Sequence, residues 1–137
     1  MRWQTRRPHA QPGPTNLDWY PTILAMTGVK MPAGITTRGR NFLPLLERKS
    51  LPWNNDFYGE YSQHHYTEAH LRMYRTPQWK LIRDFKNQGK DELCNLSADP
   101  GETRNLINDA ASQQMKKKLE TKILAKMKEL RDPVFKG

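Results

Sequence analysis

Three histidines, His64, His65 and His70, lie in one short polar stretch, with the carboxylates Glu60 and Glu68 nearby. These residue types bind transition metals, and imidazole can also donate hydrogen bonds to an anion. Zinc sites commonly combine two ligands roughly two to four residues apart with a second such pair, a pattern that HH-x4-H lacks. The spacing therefore predicts no metal site in this stretch.

Arg75 follows the histidines and adds a guanidinium, which forms strong, directional hydrogen bonds with anionic oxygen atoms. Histidines beside an arginine could donate to the same anion. The residues leave two interpretations open. Either this stretch contacts an anionic ligand, or it is an exposed polar loop without a specific role.

Cys94 is the only cysteine of the chain, so an internal disulfide framework is excluded. It lies in the alternating segment Asp91–Leu96 and is followed by Asn-Leu-Ser-Ala. A small, half-buried thiol in a strand is the expected role of such a cysteine. A nucleophilic role is not predicted.

The net charge of +9 on 137 residues is the strongest compositional signal. It is typical of a protein that binds a polyanion such as a sulfated glycan, and it is equally compatible with solvated lysines on a helix face. Most lysines near the C-terminus lie in one helical segment and do not alternate with aromatic residues on a sheet. Nucleic acid is therefore not an expected partner.

No apolar run approaches the roughly 20 residues that span a bilayer, so no membrane span is expected. The N-terminal stretch MRWQTRRPHAQPGP is basic and rich in proline but has no apolar core, so no signal peptide is predicted in it. Residues 1–14 are predicted to form an extended or disordered basic arm, followed by a single subdomain over residues 15–137. The cellular compartment is left open.

A first helix is predicted over Leu17–Thr27, with Asn16 or Asp18 as its cap and Gly28 as its stop. Pro21 fits only in a first helical turn, which predicts a start near Asp18. The helix is apolar over more than half of its circumference. Such a helix is normally buried on two sides, so we expect it to dock against another domain or a second copy.

Four short strands are predicted to form an antiparallel meander after this helix. Between the first and second strands, 62–70 is predicted to be a polar loop. Pro77 and Gly89 favour tight turns before and after the third strand. The predicted strands are 56–61, 71–75, 79–85 and 91–96.

The acidic stretch Asp91–Asp109 connects this sheet to a final helix. Pro100 and Gly101 predict a turn in which the glycine takes positive φ, and Glu102 is predicted to begin a helical run. The final helix is predicted over 110–131, with apolar residues along one narrow stripe. The fold class is therefore α+β: a small antiparallel sheet of about four strands packed against a long C-terminal helix, with an N-terminal helix.

Four segments together resemble the C-terminal region of sulfatases, which are sulfuric ester hydrolases of the alkaline phosphatase superfamily. They are LDWYPTILAMTGVKMP, GRNFLPLLE, RTPQWKLI and ELCNLSADPGETRNL, in that order along the chain. The resemblance implies a C-terminal subdomain without the N-terminal catalytic domain, which would then be its partner. It also implies that the sheet overhangs the catalytic cleft, with substrate contacts from Glu60, His64, His65, His70 and Arg75.

The sulfatase resemblance further implies what the chain lacks. Sulfatases use a formylglycine made within a C/S-x-P-x-R motif, together with a divalent cation, typically calcium. Cys94 has neither the proline nor the arginine of that motif, and no cluster of metal-binding aspartates is present. We therefore expect no catalytic residue and no cofactor in this chain, and a substrate class of sulfated glycan or aryl sulfate. The alternative is a non-catalytic basic module that binds sulfated glycan or another polyanion.

Overall fold

The computed structural model describes residues 13–53 and 55–135. This range has a four-stranded antiparallel sheet, a long C-terminal helix and a shorter N-terminal helix, which confirms the predicted α+β class. It contains no helix long and apolar enough to span a membrane. Two compact units are present, one formed by Gly13–Asn54 and one that contains Asn55–Gly137. The predicted basic arm falls almost wholly outside the described residues, and the predicted division into arm and subdomain stays a prediction.

The first unit is built on helix α1, Asn16–Thr27, which is followed by the short helix α2, Leu43–Leu46. The backbone N–H and the hydroxyl of Thr15 donate to the Asp18 carboxylate, at 2.7 and 3.1 Å. This capping box fixes the first turn of α1. Gly28 ends the helix with a φ of 70°, a conformation that glycine adopts without strain. The predicted helix and its glycine stop are confirmed, whereas the N-cap is Thr15, and Asp18 is the third residue of the helix and not its cap.

Helix α1 buries its polar side and exposes much of its apolar side. Asp18 and Thr22 are buried, and they accept hydrogen bonds from the backbone N–H groups of Arg40 and Phe42, at 2.7 and 3.0 Å. Phe42 is also buried, with its ring edge-on to Trp19. Five apolar side chains of α1 remain between 43% and 57% exposed: Leu17, Trp19, Tyr20, Ile23 and Met26. We call these five side chains the α1 apolar patch.

Pro21 lies inside α1, which begins two residues before the predicted start at Asp18. Proline has no N–H for the carbonyl of Leu17, four residues earlier. Gly39 packs directly against that carbonyl, so close that a Cβ on Gly39 would overlap the oxygen atom. The segment after α1 therefore lies against the part of the helix where proline removes a hydrogen bond.

Replacing Gly39 with alanine should disrupt the first unit, because the added methyl group would collide with main-chain atoms of Leu17. Main-chain atoms, unlike a side chain, cannot move aside by a change of rotamer. We expect a loss of about 2 kcal/mol or more in the free energy of unfolding, measured by denaturant titration. Gly13→Ala is the matched control, since nothing lies within 4 Å of a Cβ at that position. Equal stability of the two variants would contradict the packing described for Gly39.

The second unit contains the sheet, a meander of four antiparallel strands in sequence order. Tyr74, Leu81 and Leu93 lie opposite one another on three adjacent strands, on the face that packs against the C-terminal helix. The strands are β1 (Phe57–His64), β2 (Glu68–Arg75), β3 (Trp79–Asp84) and β4 (Glu92–Asn95).

The predicted polar loop over 62–70 is wrong, because β1 continues to His64 and β2 begins at Glu68. Only three residues turn the chain between them. His64 pairs with Glu68, and Ser62 pairs with His70, in the regular β1–β2 register. This end of the hairpin is largely exposed, so its strands carry polar residues and lack the apolar alternation by which strands are predicted.

The connection after β4 also differs from its prediction. Glu102, and not Gly101, takes positive φ (55°), and residues 102–109 form no helix. The Glu102 carboxylate forms an ion pair with Lys80 of β3. The Asn105 side chain accepts a hydrogen bond from the Leu93 N–H at 3.0 Å, so this segment follows the edge of β4. Bonds to neighbouring strands thus replace the bonds that a helix would have formed.

The C-terminal helix α3 spans Gln113–Glu129 after a single 3-10 turn at Ala110–Ser112. The Ser112 hydroxyl donates to Asp109 at 2.6 Å, which fixes this tighter start. The predicted apolar stripe is confirmed, because Leu119, Ile123 and Met127 are fully buried against the sheet. Burial of apolar area at about 25 cal/mol per Å² stabilises this contact between α3 and the sheet.

A buried ion pair fixes the chain just after α3. The Arg72 Nε donates to Asp132 Oδ2 at 2.5 Å and its Nη2 donates to Oδ1 at 2.9 Å, with both side chains almost fully buried. The Tyr58 hydroxyl lies 3.4 Å from the same carboxylate. The hydrogen bonds from Arg72 hold the pKa of Asp132 below its ordinary value. Burial, followed by the nearby Asp132 charge, raises the pKa of Tyr58 to about 12.

Asp132→Asn should destabilise the protein by about 3 kcal/mol at pH 7, because it leaves the buried Arg72 cation uncompensated. The Asp132 pKa is lower in the folded state, so its contribution is complete above the unfolded value of about 3.9 and is lost as pH falls through the folded value. Unfolding titrations should therefore show a steeper acid loss of stability for the wild type than for Asp132→Asn. The double variant Arg72→Met/Asp132→Leu should recover most of the loss, and no recovery would contradict this account.

Candidate functional site

The β1–β2 hairpin carries most of the predicted substrate contacts on one face. Alternation along each strand places Glu60, Ser62 and His64 on the same side of β1. The β1–β2 register brings Glu68 and His70 of β2 to that side. The His64 and His70 rings are 5.0 Å apart and tilted by 57°. Three of the five predicted residues, Glu60, His64 and His70, therefore share one polar surface, which we call the hairpin face.

The hairpin face is held in place from the neighbouring β3–β4 turn. Lys86 forms an ion pair with Glu68 at 2.5 Å, and this bond lowers the pKa of Glu68. The Asn87 side-chain amide donates to the Glu68 carbonyl at 2.8 Å. The Nδ1 atom of His70 is buried and has no hydrogen-bond partner in the described part of the chain. This nitrogen is an unsatisfied polar atom beneath the face, so any ligand contact from His70 would use the other edge of its ring.

His65 and Arg75, the other two predicted contacts, lie elsewhere. His65 is in the hairpin turn, where its ring stacks on Tyr66 with centroids 4.4 Å apart. Arg75 ends β2, and alternation places it on the opposite sheet face from His70. Five strand residues correspond to about 17 Å, so Arg75 and His70 are too far apart to contact one sugar ring together.

The described residues contain no group of three His, Cys, Asp or Glu side chains that could hold a metal ion. The hairpin face offers one pair of imidazoles, the Glu60 carboxylate, and the Glu68 carboxylate that is already paired to Lys86. Its chemistry fits hydrogen bonding to an anionic or polar ligand better than metal binding.

A second candidate site was missed by the sequence-based predictions. It is a cleft of about 240 Å³ between the β2–β3 turn and α3, and we call it the Trp79 cleft. Trp79 and Met115 provide its apolar surface, and two lysines one helical turn apart provide positive charge. The signals were present in the RTPQW turn and in the i, i+4 spacing of Lys118 and Lys122, but only the fold brings them together.

Sulfatases are the class of proteins to which this fold and sequence are similar. A solved structure described as a complex with its substrate D-glucosamine-2-N,6-O-disulfate matches 88% of this chain and 25% of its own, with a TM-score of 0.71 and 26% identity. An N-acetylglucosamine-6-O-sulfatase of Bacteroides thetaiotaomicron is 28% identical over 123 residues, covering 85% of this chain and 22% of the relative. A delta 4,5-hexuronate-2-O-sulfatase of the same species is 32% identical over 113 residues, which cover 77% of this chain and 22% of the relative.

Residues 7–129 match the family described as N-sulphoglucosamine sulphohydrolase, C-terminal. The chain belongs to this family, and the sulfatase resemblance of its four motifs is thereby confirmed. The matched range includes every helix and strand of the described residues. The chain spans 22% and 28% of the length of two curated sulfatase relatives. By the description of the matched family, it corresponds to their C-terminal part.

Cys94 is buried in β4, only 3% exposed, and burial raises the pKa of its thiol. Both effects reduce the exposed thiolate on which cysteine reactivity depends.

We expect Cys94 to react with a disulfide reagent at pH 8 at least about a hundred times more slowly than free cysteine, with full reaction in denaturant. Ser97→Cys, at an exposed position nearby, should supply a fast-reacting control. Fast reaction of native Cys94 would contradict its buried structural role.

Proposed function

We propose that this chain is the substrate-contacting and structural C-terminal subdomain of a sulfatase that hydrolyses sulfate esters on sugars, and that it has no hydrolytic activity by itself. The family match over residues 7–129 carries the proposal, in a chain that spans about a quarter of its sulfatase relatives. One structural relative is described with a sulfated glucosamine as its substrate, which supports a sulfated sugar as the substrate class.

The residues present do not fit the chemistry of sulfate ester hydrolysis. Cys94 is buried and is followed by Asn-Leu-Ser-Ala, so it lacks the proline and arginine of the formylglycine motif. Ser50 begins Ser-Leu-Pro-Trp-Asn, which has the proline but ends in asparagine where the motif has arginine. The formylglycine and the divalent cation would therefore come from a catalytic domain, and none of the described residues would hold them.

Within such an enzyme, the hairpin face would contact the sugar that carries the sulfate. His64 and His70 offer ring N–H donors close together, and Glu60 offers an acceptor for sugar hydroxyl groups on the same face. These are the group types that orient a polar ligand at the edge of a cleft. His65 at the turn and Arg75 on the other face would contact, at most, more distant parts of the same glycan.

The α1 apolar patch supports a catalytic domain as the partner. Its five side chains are each about half exposed, and exposed apolar surface of this extent marks a protein interface. The relatives are about four times as long as this chain, so the region that precedes their C-terminal part is the natural occupant. Self-association of the chain through the same patch is the competing outcome.

The alternative function is a non-catalytic basic module that binds sulfated glycan or another polyanion by itself. The net charge of +9 and the lysine-rich α3 favour it. Such a module would bind glycan without any catalytic partner and would not need the α1 apolar patch. Complementation with a catalytic domain separates the two functions.

The 137-residue chain should not hydrolyse a fluorogenic aryl sulfate alone, and should restore turnover when mixed with a sulfatase catalytic domain that lacks its own C-terminal part. Ile23→Lys, in the centre of the α1 apolar patch, should weaken this complementation about tenfold or more, because a buried unpaired charge opposes docking. The activity of the mixture as a function of chain concentration measures the effect.

Ala25→Lys is the matched control, because it adds the same charge to α1 at an exposed position outside the patch. Turnover by the chain alone would overturn its non-catalytic role. Glycan binding without complementation by any concentration of chain would favour the basic module. A concentration-dependent dimer that Ile23→Lys dissociates would assign the patch to self-association.

A further inference from the structure

We infer that the Trp79 cleft is a binding site for one anionic sugar unit of a sulfated glycan, separate from the hairpin face. The ring of the sugar would lie on the indole of Trp79, and its sulfate group would lie between the ammonium groups of Lys118 and Lys122. The identity of the ligand rests on the proposed function, whereas the site itself rests on the geometry of this chain.

The apolar part of the cleft is held by the core and by its own turn. Trp79 is half-buried and packs against the core formed by the sheet and α3. The Thr76 hydroxyl accepts hydrogen bonds from the N–H groups of Gln78 and Trp79, at 3.3 and 3.0 Å, and Pro77 lies inside the same turn. A fixed aromatic surface of this type can hold a sugar ring at a low cost in conformational entropy.

The charged part of the cleft is organised by Asp56. Lys122 donates to Asp56 at 2.6 Å and lies 4.8 Å from the centre of the Tyr74 ring, whose hydroxyl donates to the same carboxylate. The hydrogen bond to Asp56 raises the pKa of Lys122, so this lysine is cationic at neutral pH. An ammonium has three donors, and Asp56 occupies one of them.

Lys118 supplies a second positive charge to the cleft. It lies one helical turn before Lys122 and is exposed, and its ammonium forms no ion pair within residues 13–53 and 55–135. The side-chain amide of Gln78, in the turn opposite, is also without a hydrogen bond in that range. Among the described residues that line the cleft, two ammonium groups face one carboxylate, so this lining carries a net positive charge.

The size of the cleft decides how much of a glycan it holds. About 240 Å³ is below the roughly 300–1,000 Å³ of pockets that enclose drug-sized ligands. A single ring with one sulfate group is therefore the largest unit that fits, with the rest of the glycan outside. A strand of nucleic acid would need several aromatic surfaces in a row, and the described residues that line the cleft provide one, Trp79.

Binding of a sulfated glucosamine-containing disaccharide to the full chain tests the site by NMR titration. The indole N–H signal of Trp79, assigned by its loss in Trp79→Phe, should shift on binding, whereas those of Trp3, Trp19 and Trp53 should not. Lys118→Ala should weaken binding about tenfold, the effect of losing one hydrogen bond to a charged group. Lys117→Ala, which removes the same charge from the adjacent exposed position, should change affinity less than twofold.

Several results would overturn the site. Equal losses for Lys117→Ala and Lys118→Ala would show diffuse attraction to the helix, and an unshifted Trp79 signal would place the sugar elsewhere. Equal binding of the desulfated disaccharide, or tighter binding of a single-stranded oligonucleotide, would remove sulfated glycan as the ligand. The proposed function is tested separately, because complementation with a small aryl sulfate does not need this cleft and should be unchanged in Lys118→Ala.

Discussion

Packing of α3 across one face of the sheet is the constraint on which the second unit depends. Leu119, Ile123 and Met127 meet Tyr74, Leu81 and Leu93 with little residual exposure. A meander of four short strands has little independent stability, and this apolar contact supplies what the strands lack. The ion pair between Arg72 and Asp132 then fixes the end of the helix relative to β2, so α3 cannot slide along the sheet.

That same packing explains why the two candidate sites differ. The Trp79 cleft lies where the turn before β3 meets α3, so its aromatic and cationic groups are held by the core. The hairpin face lies at the far end of β1 and β2, where the strands are exposed and held mainly by Lys86 and Asn87. One site is positioned by apolar burial and the other by a few surface hydrogen bonds.

The sequence predicted the elements that follow from hydrophobic periodicity. The stripe of α3, the strand around Leu81 and the stop of α1 at Gly28 were all recognisable, because each depends on local pattern or local backbone chemistry. The ends of β1 and β2 were missed, since exposed strands carry no apolar signal. The segment after Gly101 was missed because its bonds go to Lys80 and Leu93, which are distant in sequence.

The candidate sites were predictable only in part, for a similar reason. Residue types alone identified His64, His70 and Arg75 as candidate ligand contacts. The register of β1 and β2 shows that the two histidines share one face of the sheet, and alternation along β2 places Arg75 on the other face. The cleft required a turn residue, Trp79, and helix residues about forty positions later to be brought together. Spacing along one element cannot reveal such a site, because its members belong to different elements.

The contact between Gly39 and the Leu17 carbonyl has a consequence for how related sequences can diverge. Pro21 leaves that carbonyl without its helical N–H partner, and only a residue without a side chain can lie against it. A relative that replaces Pro21 would regain the helical hydrogen bond and lose the need for this close approach. Positions 21 and 39 should therefore co-vary, and paired changes at these two sites would identify relatives in which this segment follows a different path.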